Sequence, residues 1–315
     1  MSVISNLIRK STKHDGPLNI LSFWYDGRFD VELLKTGHIF FTCLDMCVYP
    51  IPGIKGIEYS NLRVINNLNQ LHGLDLDMII FNNREAHHQF FGLSKSLHLP
   101  CLVIDHDMSQ HNDFILNQIR AQTPFQSISC SSPVQKQYHS LENINYGIEQ
   151  IYGEYDKDID ILICGTFSDQ DLFIINTLKK QFPTLRVFGQ NPKLSYSEVA
   201  DTYEDYKNLF KRAKVFLNLS VQSNISYEML LALNSKCAII TNNFPVYRDL
   251  LNKDNAIILD NIEQVIPAIQ NLINNKQAYQ KYTSYKVDLS GYNSIEFVEK
   301  WKTVLESYRY KVYMP

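Results

Sequence analysis

The stretch that most constrains this chain is residues 215–242, VFLNLSVQSNISYEMLLALNSKCAIITN. Residues 215–219 and 238–241 are rich in apolar and β-branched side chains, as buried parallel strands are. A polar turn and an amphipathic helix are predicted between them. Such a β-α-β unit leaves backbone N–H groups at the carboxyl end of a parallel sheet, where open α/β sheets bind phosphorylated ligands.

The predicted helix of this unit carries one acidic residue near its start. Ser223 or Asn224 is expected to cap a helix over about residues 225–233, with Asn234 as its left-handed stop. Glu228 then lies within the first turn. Its carboxylate would repel a phosphate, but it can accept two hydrogen bonds from neighbouring ribose hydroxyls. The alternative is a solvated residue that only favours the helix dipole, and the local sequence leaves both interpretations open.

Length and composition predict a globular protein of two ordinary domains, because the chain has 315 residues and is 45% hydrophobic. A formal net charge of −3 gives no global reason to bind nucleic acid or acidic membranes. The 6 cysteines are scattered and lack metal-binding spacings, so no metal site is expected. Residues 1–16 lack the apolar core of a signal peptide, and no later run reaches transmembrane length. Cytoplasmic residence is the expectation.

Strand and helix patterns alternate through the N-terminal half, and a helix is predicted over residues 59–71. The acidic stretch 146–158 follows neither period, and a new alternation begins after it. The sequence therefore predicts two doubly wound α/β domains with a boundary near residue 150. The predicted strands of the first domain are residues 18–24, 38–44, 78–81, 101–104, 126–130 and 143–145.

Several segments, read with this layout, resemble the GT-B glycosyltransferases. The nearest members are glycosyltransferase family 4 and the short spore-maturation-type glycosyltransferases. The likeness is strongest over residues 206–260 and rests on order of elements in the N-terminal half. The segments are NINYGIE at 143–149, ICGTF at 163–167, VFGQNP at 187–192, YKNLFKRAKVFLNLS at 206–220, SYEMLLALNSKCAIITNN at 226–243 and IDHDM at 104–108.

The resemblance implies an α/β fold of two Rossmann-like doubly wound domains that face each other across a cleft. Residues 1–150 would be the acceptor domain, and residues 151–292 the domain for the nucleotide-sugar donor. Residues 293–315 would form a C-terminal helix that crosses back to the N-terminal domain. The family needs no cofactor besides the nucleotide-diphosphate sugar, its co-substrate, and generally holds that donor without metal.

Donor-binding residues in the central unit follow from the same resemblance. Glu228 matches the second glutamate of the family's Glu-seven-residues-Glu motif, which holds the ribose of the nucleotide. Asn224, Ile225 and Ser226 match the turn whose backbone amides meet the diphosphate.

The remaining site residues lie at other loops. His106 matches the histidine beside the transferred sugar and is the expected catalytic residue. Gly27 falls where the family has a glycine-containing loop under the phosphates and acceptor, and Gly165 and Thr166 match the loop that opens the donor domain. The alternatives for His106 are a buried or surface histidine and, because two aspartates flank it, a metal ligand. Metal is rejected because no third ligand has a helpful spacing.

The departures from the family pattern concern charge. Ser220 stands where the motif has its first glutamate, and TFSDQDL after Gly165 lacks the arginine and lysine that often neutralise the diphosphate. The available substitutes are Lys193, Lys211, Arg212 and Arg248.

The functional prediction is therefore a glycosyltransferase, transferring a hexosyl or pentosyl group from a nucleotide sugar with retention of configuration. A glycan or glycolipid is the favoured acceptor. One alternative is a viral enzyme that acts on hydroxymethylated DNA bases. The negative net charge of the chain disfavours this alternative. Others are a catalytically weak GT-B binding or structural module, favoured by Ser220, and a nucleotide-sugar epimerase of the same architecture.

Overall fold

The computed structural model describes residues 15–23, 27–43, 59–106, 126–219 and 224–311, apart from positions 139, 152, 154, 166, 190 and 201. The chain divides into two compact units. Unit 1 comprises residues 1–147 and 292–315, and unit 2 comprises residues 148–291. Among the described helices, none combines the length and the hydropathy that a bilayer-spanning segment needs.

Unit 1 contains a parallel sheet whose described strands run in the order β3-β2-β1-β4-β5-β6-β7. Strands β1 and β4 are neighbours, with Leu21 opposite Ile79. The strands are β1 Asn19–Ser22, β2 Ile39–Cys43, β3 Leu62–Ile65, β4 Met78–Phe81, β5 Cys101–Asp105, β6 Gln126–Ser129 and β7 Glu142–Asn143. The described helices are α1 Gly27–Leu34, α2 Arg84–Leu97, α3 Ser132–Tyr138, α9 Ser294–Glu306 and the 3-10 helices Leu68–Gly73 and Ser290–Tyr292.

The helix predicted over residues 59–71 is wrong. Residues Leu62–Ile65 form the edge strand β3, and only Leu68–Gly73 is helical, as a 3-10 helix. Pairing explains the difference, because β3 hydrogen-bonds in parallel to β2 with Phe40 opposite Leu62. Asn67 then caps the short helix by accepting the Asn69 N–H at 3.1 Å.

The last helix, α9, packs within unit 1. Trp301 is fully buried, and its ring lies 5.8 Å from that of Phe29 in α1. The buried Glu32 of α1 accepts a hydrogen bond from Ser294. Gly147 leaves room for this helix, because a Cβ there would lie 2.7 Å from the Cβ of Phe297. The chain thus returns to its first unit through close side-chain packing.

Unit 2 contains a second parallel sheet, whose described strands run in the order β10-β9-β8-β11-β12-β13. The strand order reverses between β8 and β11, and ligands of open α/β sheets bind outside the carboxyl ends of strands at such a switch point. The strands are β8 Ile159–Cys164, β9 Arg186–Phe188, β10 Ser197–Glu198, β11 Ala213–Asn218, β12 Ala238–Asn242 and β13 Ala256–Leu259. The described helices are α4 Asp169–Gln181, α5 Tyr203–Arg212, α6 Tyr227–Asn234, α7 Val265–Asn274, α8 Lys276–Thr283 and the 3-10 helices Pro245–Tyr247 and Ile262–Gln264.

Helix α6 of the predicted β-α-β unit begins later than expected. Its N-cap is Ser226, whose hydroxyl accepts the Met229 N–H at 3.2 Å, so Asn224 is not the cap, and Ser223 lies outside the described residues. The left-handed residue at its end is Lys236, with φ 55°, and not Asn234. Asn234 is the last helical residue, and its side chain donates to the Glu149 carbonyl at 2.7 Å.

Candidate functional site

The candidate site lies at the carboxyl edge of the unit 2 sheet, where β8 and β11 are adjacent. Helix α6 follows β11 and begins at this edge, and Gly165 follows β8. Thr166 and Ser220, both singled out from the sequence, lie outside the described residues. The site is therefore built from the described residues on either side of them.

Asn224 and Ile225 are the described residues directly before the cap of α6. Asn224 is buried, and its side-chain oxygen accepts the Ile225 N–H at 2.7 Å. Ser226 caps α6. The amide of Ile225, which the family resemblance assigns to the diphosphate, is thus directed at Asn224 in this structure. The first turn of α6 still supplies the positive end of a helix dipole, because initial N–H groups of a helix have no intrahelical partner.

Glu228 lies in the first turn of α6 and is half-buried. Its Oε1 accepts a hydrogen bond from Tyr206 Oη at 2.7 Å. Tyr206 belongs to α5, and its ring contacts Phe188 at 5.6 Å and Phe210 at 5.3 Å between centroids. The carboxylate is therefore held at the sheet edge by a side chain from the neighbouring helix.

Tyr247, in the 3-10 helix after β12, is a further residue near the start of α6. It is buried, and Asn218 at the end of β11 donates to its phenol oxygen at 3.3 Å. Burial raises the pKa of the Tyr247 phenol and the Glu228 carboxylate adds to the rise, whereas hydrogen bonds from Ser226 and Asn218 oppose it. The phenol thus lies close to both Ser226, the cap of α6, and the Glu228 carboxylate.

The sequence analysis missed Tyr206, Tyr247 and Asn218. Asn218 carried a usable signal, since a polar residue at the end of a buried parallel strand marks the edge where ligands bind. The two tyrosines carried none, because their roles depend on contacts between α5, α6 and the turn after β12.

Two glycines shape the other side of the switch point. Gly165 has φ 124° and Gly189 has φ 130°, values that L side chains rarely adopt. A Cβ on Gly189 would lie 2.4 Å from the Gly165 carbonyl oxygen. Asn191 donates to that same oxygen at 2.9 Å. The loops after β8 and β9 therefore touch through their backbones.

The first turn of α4, just after this loop, is already acidic. Ser168 and Asp171 form a capping box, in which Asp171 accepts the Ser168 N–H at 2.9 Å. Asp169 adds a second carboxylate to the turn. These two charges disfavour a phosphate there more than the single Glu228 does in the first turn of α6, so α6 is the better of the two helix starts for an anion.

The four candidate cations differ in their surroundings. Lys193 pairs with Asp169 and Arg212 with Asp158, while Lys211 Nζ lies 3.0 Å from Glu204. Arg248 is exposed in the turn after β12 and has no carboxylate within 4.0 Å among the described residues. Of these four, Arg248 alone carries a charge that no described acid balances at ion-pair distance.

His106 lies at the end of β5 in unit 1, where it is 1% exposed. Its Nδ1 is 3.1 Å from Tyr146 Oη and 3.5 Å from Cys130 Sγ. The Phe29 ring meets the imidazole edge-on at 4.6 Å. This enclosure is what the alternative of a core histidine predicts.

The aspartate that precedes the predicted His106 has a structural partner of its own. Asp105, before His106, is buried and paired with Arg84, whose Nε lies 2.6 Å from Oδ1 and Nη2 2.9 Å from Oδ2. Gly27 is the first residue of α1. Among the described residues, no group of three or more His, Cys, Asp or Glu side chains is placed to hold a metal ion.

Neither a family profile nor a curated protein matches the sequence. Solved structures do match. HepE of Anabaena in complex with UDP-glucose is 12% identical, with a TM-score of 0.64 over 92% of this chain and 100% of that one. Sucrose-phosphate synthase of Thermosynechococcus elongatus is 11% identical, with a TM-score of 0.57 over 93% and 99%. A UDP-N-acetylglucosamine 2-epimerase, putative by its description, of Listeria monocytogenes is 7% identical, with a TM-score of 0.57 over 93% and 96%. The chain therefore has the GT-B glycosyltransferase fold, with two Rossmann-like α/β domains.

Proposed function

We propose that this protein is a nucleotide-sugar-dependent glycosyltransferase that transfers a hexosyl or pentosyl group. Its donor would bind at the carboxyl edge of the unit 2 sheet, and unit 1 would take the acceptor. HepE, of the same fold, holds UDP-glucose, so a UDP sugar is the first donor to consider. The observation that carries the proposal is the position of Glu228 in the first turn of α6 at the switch point.

The surroundings of Glu228 favour the ribose-binding interpretation over a solvated surface residue. The carboxylate is half-buried and hydrogen-bonded to Tyr206 at 2.7 Å. Such a fixed carboxylate beside a helix start would accept ribose hydroxyls while the helix dipole favours the diphosphate. One site could in this way recognise both halves of a nucleoside diphosphate.

The proposed transfer uses electrostatic stabilisation of the departing diphosphate and no protein nucleophile. We propose retention of configuration, following the resemblance to family 4, although Ser220 replaces a carboxylate of that motif. The N-terminus of α6 and Arg248 would supply positive potential, so the proposal includes no divalent metal. Turnover should persist in EDTA, and a full loss that magnesium or manganese restores would count against this part of the proposal.

The acceptor in this proposal is a glycan or glycolipid precursor. Hydroxymethylated DNA is the second candidate, and the net charge of −3 disfavours it. A catalytically weak binding module would bind the donor yet show no transfer with any acceptor. An epimerase would convert the nucleotide sugar into its isomer without an acceptor, which product analysis by NMR would reveal.

The first experiment is a titration of the wild-type protein and of Glu228→Ala with UDP, GDP and ADP by calorimetry. We expect the wild type to bind one of them and the variant to lose about 1.5 to 3 kcal/mol of binding free energy, the scale of charge-assisted hydrogen bonds. Glu263→Ala is the matched control, because Glu263 is an exposed acid in the first turn of the 3-10 helix Ile262–Gln264. Equal affinities in wild type and Glu228→Ala would refute the ribose assignment.

A further inference from the structure

The first turns of α5 and α6 lie side by side in unit 2. A helix that joins two parallel strands runs antiparallel to them, so both helices begin at the carboxyl edge. Tyr206 of α5 donates its hydroxyl proton to Glu228 Oε1 of α6 at 2.7 Å. This contact links two helices that are separated in sequence by strand β11 and the turn after it.

Tyr206 is itself held in place. Its ring packs against Phe188, the last residue of β9, and against Phe210, one turn further along α5. Phe210 is fully buried. The phenol therefore reaches Glu228 from a fixed base, and the carboxylate loses little additional freedom when it binds a ligand.

We propose that Tyr206 is a positioning residue that orients the Glu228 carboxylate toward the ribose hydroxyls of a nucleotide. The inference rests on the proposed function and assigns a specificity role to a residue to which the resemblance gave no role. A carboxylate has two oxygens with about four acceptor positions, so the phenol and ribose hydroxyls can be accommodated together. The hydrogen bond from Tyr206 fixes which positions face the ligand. Discrimination between ribose and its deoxy form then depends on Tyr206 as well as on Glu228.

The test compares UDP with 2′,3′-dideoxy-UDP, which lacks both ribose hydroxyls, on the wild type and on Tyr206→Phe. If the wild type prefers another nucleoside diphosphate, that nucleotide and its dideoxy form replace the pair. We expect Tyr206→Phe to weaken UDP binding by about three- to tenfold, the range that one hydrogen bond provides. Binding of the dideoxy nucleotide should stay within about twofold of the wild type, because the hydroxyls that Glu228 would accept are missing.

The control is Tyr196→Phe, which removes an equivalent contact, since Tyr196 Oη donates to Asn176 Oδ1 at 2.7 Å in another part of unit 2. It should leave both affinities unchanged. A double variant, Tyr206→Phe with Glu228→Gln, should lose no more UDP affinity than Glu228→Gln alone, because the two residues act as one unit.

Three outcomes would overturn the inference. In the first, Tyr206→Phe leaves UDP affinity unchanged. In the second, Tyr206→Phe weakens the binding of UDP and of the dideoxy nucleotide equally, which would show that Tyr206 only stabilises the fold. In the third, the losses of the two single variants add up in the double variant. If the wild type binds no nucleoside diphosphate at all, the proposed function fails first.

Discussion

At the scale of single residues, neighbours decide what an ionisable side chain can do. Glu228 and His106 were both predicted as site residues from the same resemblance. Glu228 remains half-buried beside a helix start, where a ligand hydroxyl can meet it. His106 is enclosed by Phe29, Tyr146 and Cys130. The first environment supports a binding role, while the second supports a place in the core of unit 1.

Substitution of His106 tests its assignment as the catalytic residue directly. If His106 is catalytic, as the resemblance implies, His106→Ala should lower kcat by about tenfold or more and leave nucleotide affinity within about twofold, since the proposed nucleotide site is in unit 2. The measurements are steady-state kinetics, calorimetric titration and thermal unfolding. His106→Asn, which keeps a polar group near Tyr146, serves as the milder variant. A drop in unfolding temperature for both variants without a drop in kcat of the folded protein would establish a core role instead.

Another residue-level difference concerns His87. The sequence places His87 and His88 on one helix, where they point about a hundred degrees apart and are expected at a surface or between domains. In the structure His87 is fully buried, with the Phe81 ring edge-on at 5.2 Å. Burial lowers the pKa of His87 to about 4. A helix face that carries histidine can thus pack on the sheet, which periodicity alone does not reveal.

At the scale of elements, the site depends on two short connections. The start of α6 is fixed by Ser226, Tyr247 and Asn218, which join the helix to β11 and to the turn after β12. On the other side, the loops after β8 and β9 meet at Gly165 and Gly189. The resemblance marked Gly165, and the structure adds Gly189 as its partner.

Gly189 provides a stability test with a matched control. Gly189→Ala should destabilise unit 2 by about 2 kcal/mol or more, because φ 130° is strained for alanine and the new Cβ meets backbone. Gly153 has φ 103° with nothing within 4 Å of a Cβ, so Gly153→Ala carries the backbone strain alone. Urea denaturation followed by circular dichroism gives the two free energies of unfolding. Equal losses would show that the contact with Gly165 contributes nothing.

At the scale of the whole molecule, charge bears on the acceptor. A duplex DNA acceptor would require a basic face, yet the net charge is −3. Arg84, a basic residue that the sequence places on a helix of the N-terminal half, is buried with Asp105. Arg63 lies on strand β3 and donates to the carbonyls of Ser60 and Leu62. Arg9, Lys10, Lys13 and Arg120 lie outside the described residues.

We therefore expect weak binding to duplex DNA. A filter-binding titration with plain and hydroxymethylated duplex at about 50 and 200 mM salt measures it, because phosphate contacts make affinity fall steeply with salt. Tight binding at low salt, with an affinity that falls steeply as salt rises, would support DNA as the acceptor. A positively charged DNA-binding protein of similar size is the control for the assay itself.

The sequence by itself determined the two doubly wound domains and the central β-α-β unit. Their apolar runs and breaks recur at strand and helix periods, and local periodicity is a property of the chain alone. The sequence also pointed to Glu228, because a single acidic residue near a predicted helix start can be identified from the sequence alone. Only the tertiary structure decided that β3 is a strand, that His87 and Arg84 are buried, and that Tyr206 contacts Glu228. Each of these depends on a partner that is distant in sequence, and no local pattern records which distant side chain will fill a given space.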